Sequence, residues 1–204
     1  MPELPEVETV ARALKFGGRG SSSIIGERIT RGELDWQKTL EYPTEQSFWK
    51  QTRGRKIMDV GRRGKYLILE LDQGALIFHF RMSGDLLAME QGSKPPPHSR
   101  LILNFESGRR LAFRNVRKFG RVWLVDAPEE VTGALGPEPF DSELDDIFHS
   151  MLTTRKRQIK PLLMDQAFLA GIGNIYADES LHLAKIHPLQ PSNSVPVKDC
   201  SVLL

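Results

Sequence analysis

At 204 residues, 40% hydrophobic and 26% charged, the chain has the make-up of an ordinary globular protein with room for one large or two small domains. No apolar run approaches the ~20 residues needed to span a membrane, and the start does not read as a secretory signal. The single cysteine, Cys200, excludes an internal disulfide and a four-cysteine zinc site, and the net charge of +2 does not by itself predict a polyanion partner.

The chain opens Met1-Pro2-Glu3-Leu4-Pro5-Glu6-Val7-Glu8-Thr9. Pro5 suits a first helical position and Glu6 and Glu8 a first turn, after which Val7, Val10, Ala11 and Leu14 recur at helical spacing. Pro2 is small enough for Met1 to be removed after synthesis, which leaves a free secondary amine beside the Glu3 carboxylate. An α-amino group titrates at about 7.7–8.0 against about 10.4 for a lysine side chain, so near neutral pH it offers far more of the nucleophilic form. The iminium formed from a secondary amine and a sugar carbon cannot lose its charge by shedding a nitrogen proton, so it persists as an electron sink. The same residues also fit a merely stiffened helix start, and local chemistry leaves both readings open for Pro2 and Glu3.

Residues 24–32 read as a short strand and 44–51 as a helix. Strand-like runs follow at Lys56–Val60, Tyr66–Leu71, Ala75–Phe80, Asp85–Met89, Leu101–Phe105, Leu111–Arg114 and Arg121–Val125, separated by turn signals such as Asp72-Gln73-Gly74 and Glu106-Ser107-Gly108. Many short strands at this spacing predict a β-sandwich or barrel. Near residue 128 the pattern changes. Residues 141–153, 156–165 and 174–185 read as helices, 188–196 as a proline-rich loop and 197–204 as the start of another helix. The expected division is therefore 1–127, mostly β; a linker, 128–140; and 141–204, all α.

Charge is segregated along the chain. Lys50, Arg53, Arg55, Lys56, Arg62, Arg63 and Lys65 crowd one segment; Arg109, Arg110, Arg114, Arg117, Lys118 and Arg121 a second; Arg155, Lys156, Arg157 and Lys160 a third. An acidic stretch between the last two runs from Asp126 to Asp146. Such a distribution suits one face for phosphates and another for solvent, or a plain scatter of solvated strand exteriors. Gly171-Ile172-Gly173-Asn174 precedes a helix, with Asn174 the expected N-cap. It is either an anion-binding helix start or a simple helix–helix connection. Lys65 reads as a solvated strand end, His79 as a core histidine, and Met82 and Phe119 as core packing.

Six short motifs in order change the weight of these readings. The run Met1–Thr9, Gly64-Lys65-Tyr66, Met82-Ser83-Gly84, Arg117-Lys118-Phe119-Gly120, Leu135-Gly136-Pro137-Glu138-Pro139 and Gly171-Ile172-Gly173-Asn174-Ile175-Tyr176 resemble the landmarks of formamidopyrimidine-DNA glycosylases. The resemblance extends to about Pro188. It implies an α+β fold: an N-terminal β-sandwich with flanking helices, then an all-α helix-two-turn-helix domain. It implies excision of oxidised purines from double-stranded damaged DNA and strand cleavage through a Schiff base, with Pro2 as nucleophile, Glu3 as proton shuttle and Lys65 assisting elimination. It implies DNA contacts at His79, His98, Lys156 and Asn174. Met82, Arg117 and Phe119 would fill the hole left by an extruded base, where apolar wedges replace stacking and arginine bonds the orphaned partner.

Arg81 and Val116 stand where the family pattern has a small residue and a proline. By the same resemblance the family's recognition loop and zinc finger lie beyond this chain, so no metal or other cofactor is expected, and Cys200 fits no zinc-ligand pattern. The expectation is a C-terminally shortened, monomeric, cytoplasmic enzyme. Its rivals are an endonuclease VIII-like glycosylase for oxidised pyrimidines and a weak or inactive DNA-binding fragment.

Overall fold

The computed structural model describes residues 1–203. It forms two compact units, Met1–Gly133 and a second that begins at Ala134, so the change of unit falls inside the stretch 128–140 read as a linker.

The first unit begins with α1 (Leu4–Phe16), whose Leu4, Val7, Val10, Ala11 and Leu14 are all buried. Burying a large apolar side chain is worth roughly 1.5–3 kcal/mol, so this stripe fixes the helix firmly. There follow β1 (Ile29–Leu34), a short β2 (Leu40–Tyr42), α2 (Glu45–Thr52), β3 (Ile57–Arg63), β4 (Tyr66–Leu71), β5 (Ala75–His79), β6 (Gly84–Met89), β7 (Ser99–Phe105), β8 (Arg110–Asn115), β9 (Arg121–Val125) and α3 (Glu129–Thr132). One sheet has the order β1-β7-β8-β6 and the other β2-β9-β5-β4-β3. All neighbours are antiparallel except β2 and β9.

The two-residue period of the strands builds the sandwich. Leu67, Leu69 and Leu71 of β4 and Leu76 and Phe78 of β5 meet Leu101, Leu103, Leu111 and Phe113 of the other sheet, with α1 closing the same core. The alternate residues Ile68 and Ile77 form a second cluster with Val125, against which Tyr66, Trp123 and Val131 pack. Because β5 is buried on both faces, it reads as a continuous apolar run rather than an alternating one.

Two expectations in this unit need correction. The strand expected at 24–32 begins only at Ile29, because Gly26 at φ 87° turns the chain. Ile24, fully buried, donates its N–H to Leu14 O at 2.9 Å and plugs the core as a loop residue. The three-residue strand β2 carries no readable pattern and was not anticipated; it exists because it pairs with β9.

The second unit contains α4 (Leu144–Thr153), α5 (Ile159–Leu163), α6 (Asn174–Leu183) and α7 (Val197–Leu203) around a core of Leu144, Phe148, Leu152, Ile159, Leu162, Phe168 and Leu181. The helix expected at 156–165 is shorter. The 157–158 backbone instead engages the 188–192 loop, with Ser192 N–H on Arg157 O at 2.8 Å and Ile159 N–H on Gln190 O at 2.9 Å. The helix expected at 174–185 ends at Leu183, where Lys185 turns left-handed at φ 57° and Ile186 N–H closes onto Leu181 O. The strap at 135–139 lies on the turn after α5: Gly136 N–H reaches Gln166 O at 2.9 Å and Ala170 N–H reaches Pro137 O at 2.8 Å. A Cβ at Gly136 would sit 2.5 Å from Ala167 O, so only glycine permits this approach.

Candidate active site and nucleic-acid interface

The first unit gathers most of the residues singled out in the sequence at the start of α1 and at one end of each sheet. Glu3 is the N-cap of α1 and is only 2% exposed. It forms a reciprocal capping box with Glu6, whose Oε2 accepts the Glu3 N–H at 2.8 Å. This arrangement satisfies helix-start donors and holds Pro2 immediately before a fixed helix, half-buried rather than trailing into solvent.

Arg62 ties α1 to the β3–β4 turn. Its Nε donates to Glu8 Oε2 at 3.0 Å and its Nη1 to Gly64 O at 3.0 Å. Next in the chain, Lys65 is 4% exposed, not the solvated strand end that its residue type suggests. Burial pulls the ammonium below its ordinary range, and the negative charge of Glu3 works against that pull. Glu3 and Lys65 therefore feel each other's charge where water is largely excluded.

His79 ends β5 and lies opposite Tyr66 in the β4–β5 ladder, with the rings 4.7 Å apart and edge to face. It is 6% exposed. Its Nδ1 accepts the Arg81 N–H at 3.1 Å, which leaves the ring proton on Nε2. Burial first, then the positive charges of Arg81 and Lys65, push its pKa down to about 3. His79 is thus a neutral donor through Nε2–H at physiological pH.

This pKa has a stability consequence. The unfolded chain protonates this histidine near 6.5, the native state only near 3. The associated stability is complete above pH 6.5 and drains as pH falls toward 3, with about 2 kcal/mol lost between pH 7 and 5. Urea unfolding at the two pH values should show this loss, and His79→Gln should remove it. An equally steep loss in the variant would assign the pH dependence to other groups.

Beyond β5 the chain turns through Arg81, left-handed at φ 52°, to Met82. Met82 is 47% and Phe119 49% exposed, so neither is core. Arg117 lies over the Phe119 ring with its guanidinium carbon 5.2 Å from the centroid. The two turns are joined where Arg117 N–H meets Ser83 Oγ at 3.3 Å. Met1, Arg81, Met82, Phe119 and Arg121 line one cleft of about 380 Å³. The N-terminus and two of the three expected wedge residues therefore share a cavity, although Phe119 lies 118 positions after Met1 in the chain. His98 is exposed and left-handed at φ 69°. Its Nδ1 lies 3.3 Å from Arg100 Nη2, and its carbonyl accepts the Asn115 N–H at 2.9 Å.

In the second unit, Lys156 is exposed at the tip between α4 and α5. Asn174 is also exposed, but it is the first residue of α6 rather than its N-cap. Gly173 takes the capping position in extended backbone, because Gly171 at φ 95° has already turned the chain toward the helix. Asp178 Oδ2 lies 3.5 Å from Asn174 Nδ2, and Asp178 Oδ1 lies 2.7 Å from Lys160 Nζ. Gln166 fastens the turn before α6, donating to Met164 O and Ile172 O at 2.8 Å and accepting from Gly171 N–H at 3.0 Å. Sequence reasoning gave no role to Gln166, which belongs to no periodic pattern or recognisable motif, and took Arg121 only as a member of a basic cluster at the start of a strand.

Two known domain families match in chain order: the formamidopyrimidine-DNA glycosylase N-terminal domain over residues 1–122 and the formamidopyrimidine-DNA glycosylase H2TH domain over residues 135–204. The chain belongs to the formamidopyrimidine-DNA glycosylase family. It is 44% identical over its whole length to the formamidopyrimidine-DNA glycosylase of Protochlamydia amoebophila, covering 72% of that protein. It is 42% identical to that of Roseiflexus sp., covering 74%. Among solved structures it superimposes on Lactococcus lactis Fpg bound to DNA containing N7-benzyl-Fapy-dG, with a TM-score of 0.86 and 36% identity over 99% of this chain and 74% of that one. The same Fpg bound to abasic-site DNA gives a TM-score of 0.85 at 36% identity, over 98% and 73%. The matches bear out the expected fold class, a β-sandwich followed by a helix-two-turn-helix domain.

The zinc finger of the family needs several converging ligands. Among the described residues no three His, Cys, Asp or Glu side chains come together to hold a metal. Cys200 is buried, with Sγ 3.6 Å from Pro196 O, and burial raises its thiol pKa. These residues do not fit a zinc site. No helix among the described residues is long and apolar enough to cross a membrane.

Proposed function

We infer that this glycosylase-family chain removes oxidised purines, 8-oxoguanine and formamidopyrimidines, from duplex DNA and then cleaves the strand as an abasic-site lyase. The observation that carries the reading is Pro2 held at a fixed helix start, next to a buried Glu3 that shares its surroundings with a buried Lys65.

With Met1 removed, the Pro2 nitrogen lone pair attacks C1′ of the damaged nucleotide. The C1′–N bond breaks and the base departs with the bonding electrons. Glu3 takes the proton that the Pro2 nitrogen sheds after bonding to C1′ and delivers it to the ring oxygen O4′, while the nitrogen lone pair so freed breaks the C1′–O4′ bond and gives a C1′ iminium. The iminium acidifies the C2′ proton; its removal expels the 3′ phosphate by β-elimination, and a second elimination expels the 5′ phosphate. Water then releases Pro2. Lys65 supplies positive charge to a phosphate and assists elimination. His79 offers Nε2–H to a phosphate as a neutral donor, so its contact adds geometry without counterion release. Met82 and Phe119 enter the stack while Arg117 bonds the orphaned base, offsetting the few kcal/mol lost on flipping. His98 on the first unit and Lys156 and Asn174 on the second each offer a contact to the DNA backbone.

The test is borohydride trapping with an 8-oxoguanine duplex and an abasic-site duplex, after mass spectrometry confirms a chain beginning at Pro2. Covalent adducts on both are expected. An adduct on the abasic site alone would reduce the activity to lyase, and none on either would leave a DNA binder at most. Preferential trapping on an oxidised pyrimidine would move the chain to the endonuclease VIII-like class.

A further inference from the structure

The turn that carries Arg117 and Phe119 is held in a more elaborate way than its role as a wedge requires. Lys118 is left-handed at φ 60°, and its N–H reaches Asn115 O at 3.3 Å. Its ammonium sits 4.2 Å from the centroid of the Trp36 ring. Gly120 presses against the core so closely that a Cβ there would lie 1.9 Å from Asn115 Nδ2 and 2.5 Å from Phe113 Cζ.

Arg121 completes the arrangement. A single nitrogen, Nη1, faces three successive carbonyls of the turn, those of Lys118 at 3.4 Å, Phe119 at 3.1 Å and Gly120 at 3.0 Å. Its Nε is 3.0 Å from Glu41 Oε2. Glu41 sits in β2, whose pairing with β9 places Leu40 opposite Val122. The short strand that the sequence does not announce thus aims a carboxylate at the first residue of β9. Three carbonyls converging on one side of a turn repel one another electrostatically, and a cation at their focus relieves that repulsion.

We propose that Arg121, anchored by Glu41, is a positioning residue that sets the Arg117–Phe119 wedge before DNA arrives. The inference rests on the proposed glycosylase reading. It assigns the segment carrying Trp36 and Glu41 a part in lesion interrogation: a preset wedge enters the stack without first being ordered, so less binding energy is lost to conformational entropy.

The test uses the full chain and a duplex with 2-aminopurine opposite an abasic site, where wedge entry changes the fluorescence. Arg121→Ala should slow that phase and lower kcat/KM on an 8-oxoguanine duplex about tenfold, mainly through KM. Its cleavage of a single-stranded abasic oligonucleotide, which has no partner base to replace, should fall several-fold less than its cleavage of the duplex. Glu41→Gln separates positioning from direct contact. It removes a negative charge and leaves Arg121 free, so a phosphate-contacting arginine would bind DNA more tightly. A positioning arginine would instead insert its wedge more slowly, and the double variant would be no worse than Arg121→Ala. Thermal melting checks folding, and Arg121→Gln replaces Arg121→Ala if the latter is unfolded. Equal loss on both substrates, no loss on either, or tighter binding by Glu41→Gln would overturn the proposal. A parent chain inactive on every substrate would instead overturn the glycosylase reading, while the fluorescence arm still tests the brace.

Discussion

A chain that keeps Met1 is expected to give no borohydride-trapped complex with abasic-site DNA, and its strand cleavage should fall by about 10³-fold or more relative to a chain that begins at Pro2. In the Met1–Pro2 bond the proline nitrogen is an amide whose lone pair is delocalised into the carbonyl, so it is no nucleophile. The amine of Met1 cannot substitute for it. It lies one residue, up to about 3.6 Å, farther along the chain, whereas Glu3 stays fixed by its capping box and by the buried stripe of α1. A nucleophile displaced by that much leaves the geometry in which reacting atoms meet at about 3–3.5 Å. Mass spectrometry of each preparation, alongside trapping and cleavage assays, makes the comparison. A mature Pro2→Gly chain refines it. Its primary amine still forms a Schiff base, but that imine can lose its nitrogen proton and with it the electron sink, so lyase turnover should drop by about tenfold to a hundredfold. Full activity in the Met1-retaining chain would remove Pro2 from the mechanism; full activity in Pro2→Gly would show that a secondary amine is not the essential feature.

The parts of this fold legible in the sequence are those whose side chains repeat. The helical spacing from Val7 to Leu14 and the apolar runs of β4, β5 and β9 are patterns that burial imposes directly, and they appear at nearly the positions read from them. Elements set by partners elsewhere were not legible. β2 exists through β9, and the shortening of α5 comes from the 188–192 loop taking its first backbone groups. The site divides in the same way. Pro2 and Glu3 have chemistry that their positions reveal, but the burial of Lys65 is legible only in the folded chain, beside a β3–β4 turn that Arg62 ties to Glu8, a contact across 54 residues. Met82 and Phe119 look like core residues in a one-dimensional reading. Only folding shows them half exposed beside the N-terminus, and only the family resemblance gave them a role beforehand.

Glu3→Gln should abolish most base excision, by about 10²–10⁴-fold, while costing less stability than removal of the capping side chain. The two halves of this prediction come from two jobs that one side chain performs. As N-cap of α1, Glu3 needs only an acceptor oxygen for the Glu6 N–H, and a glutamine carbonyl supplies one. As proton shuttle it must give and recover a proton at O4′, which an amide cannot do. Glu3→Ala removes both functions and should add a stability loss of about 0.5–2 kcal/mol, so the pair of variants separates chemistry from capping. A second signature involves Lys65. The Glu3 charge is what opposes the lowering of the Lys65 pKa by burial; without it, burial acts unopposed and the ammonium deprotonates at a lower pH. Residual lyase activity of Glu3→Gln that depends on a charged Lys65 should therefore decline at lower pH than in the parent chain as pH is raised. Excision retained within about threefold in Glu3→Gln would assign the proton transfer to another group. An unshifted alkaline limb would show that Lys65 does not feel Glu3 in the working enzyme.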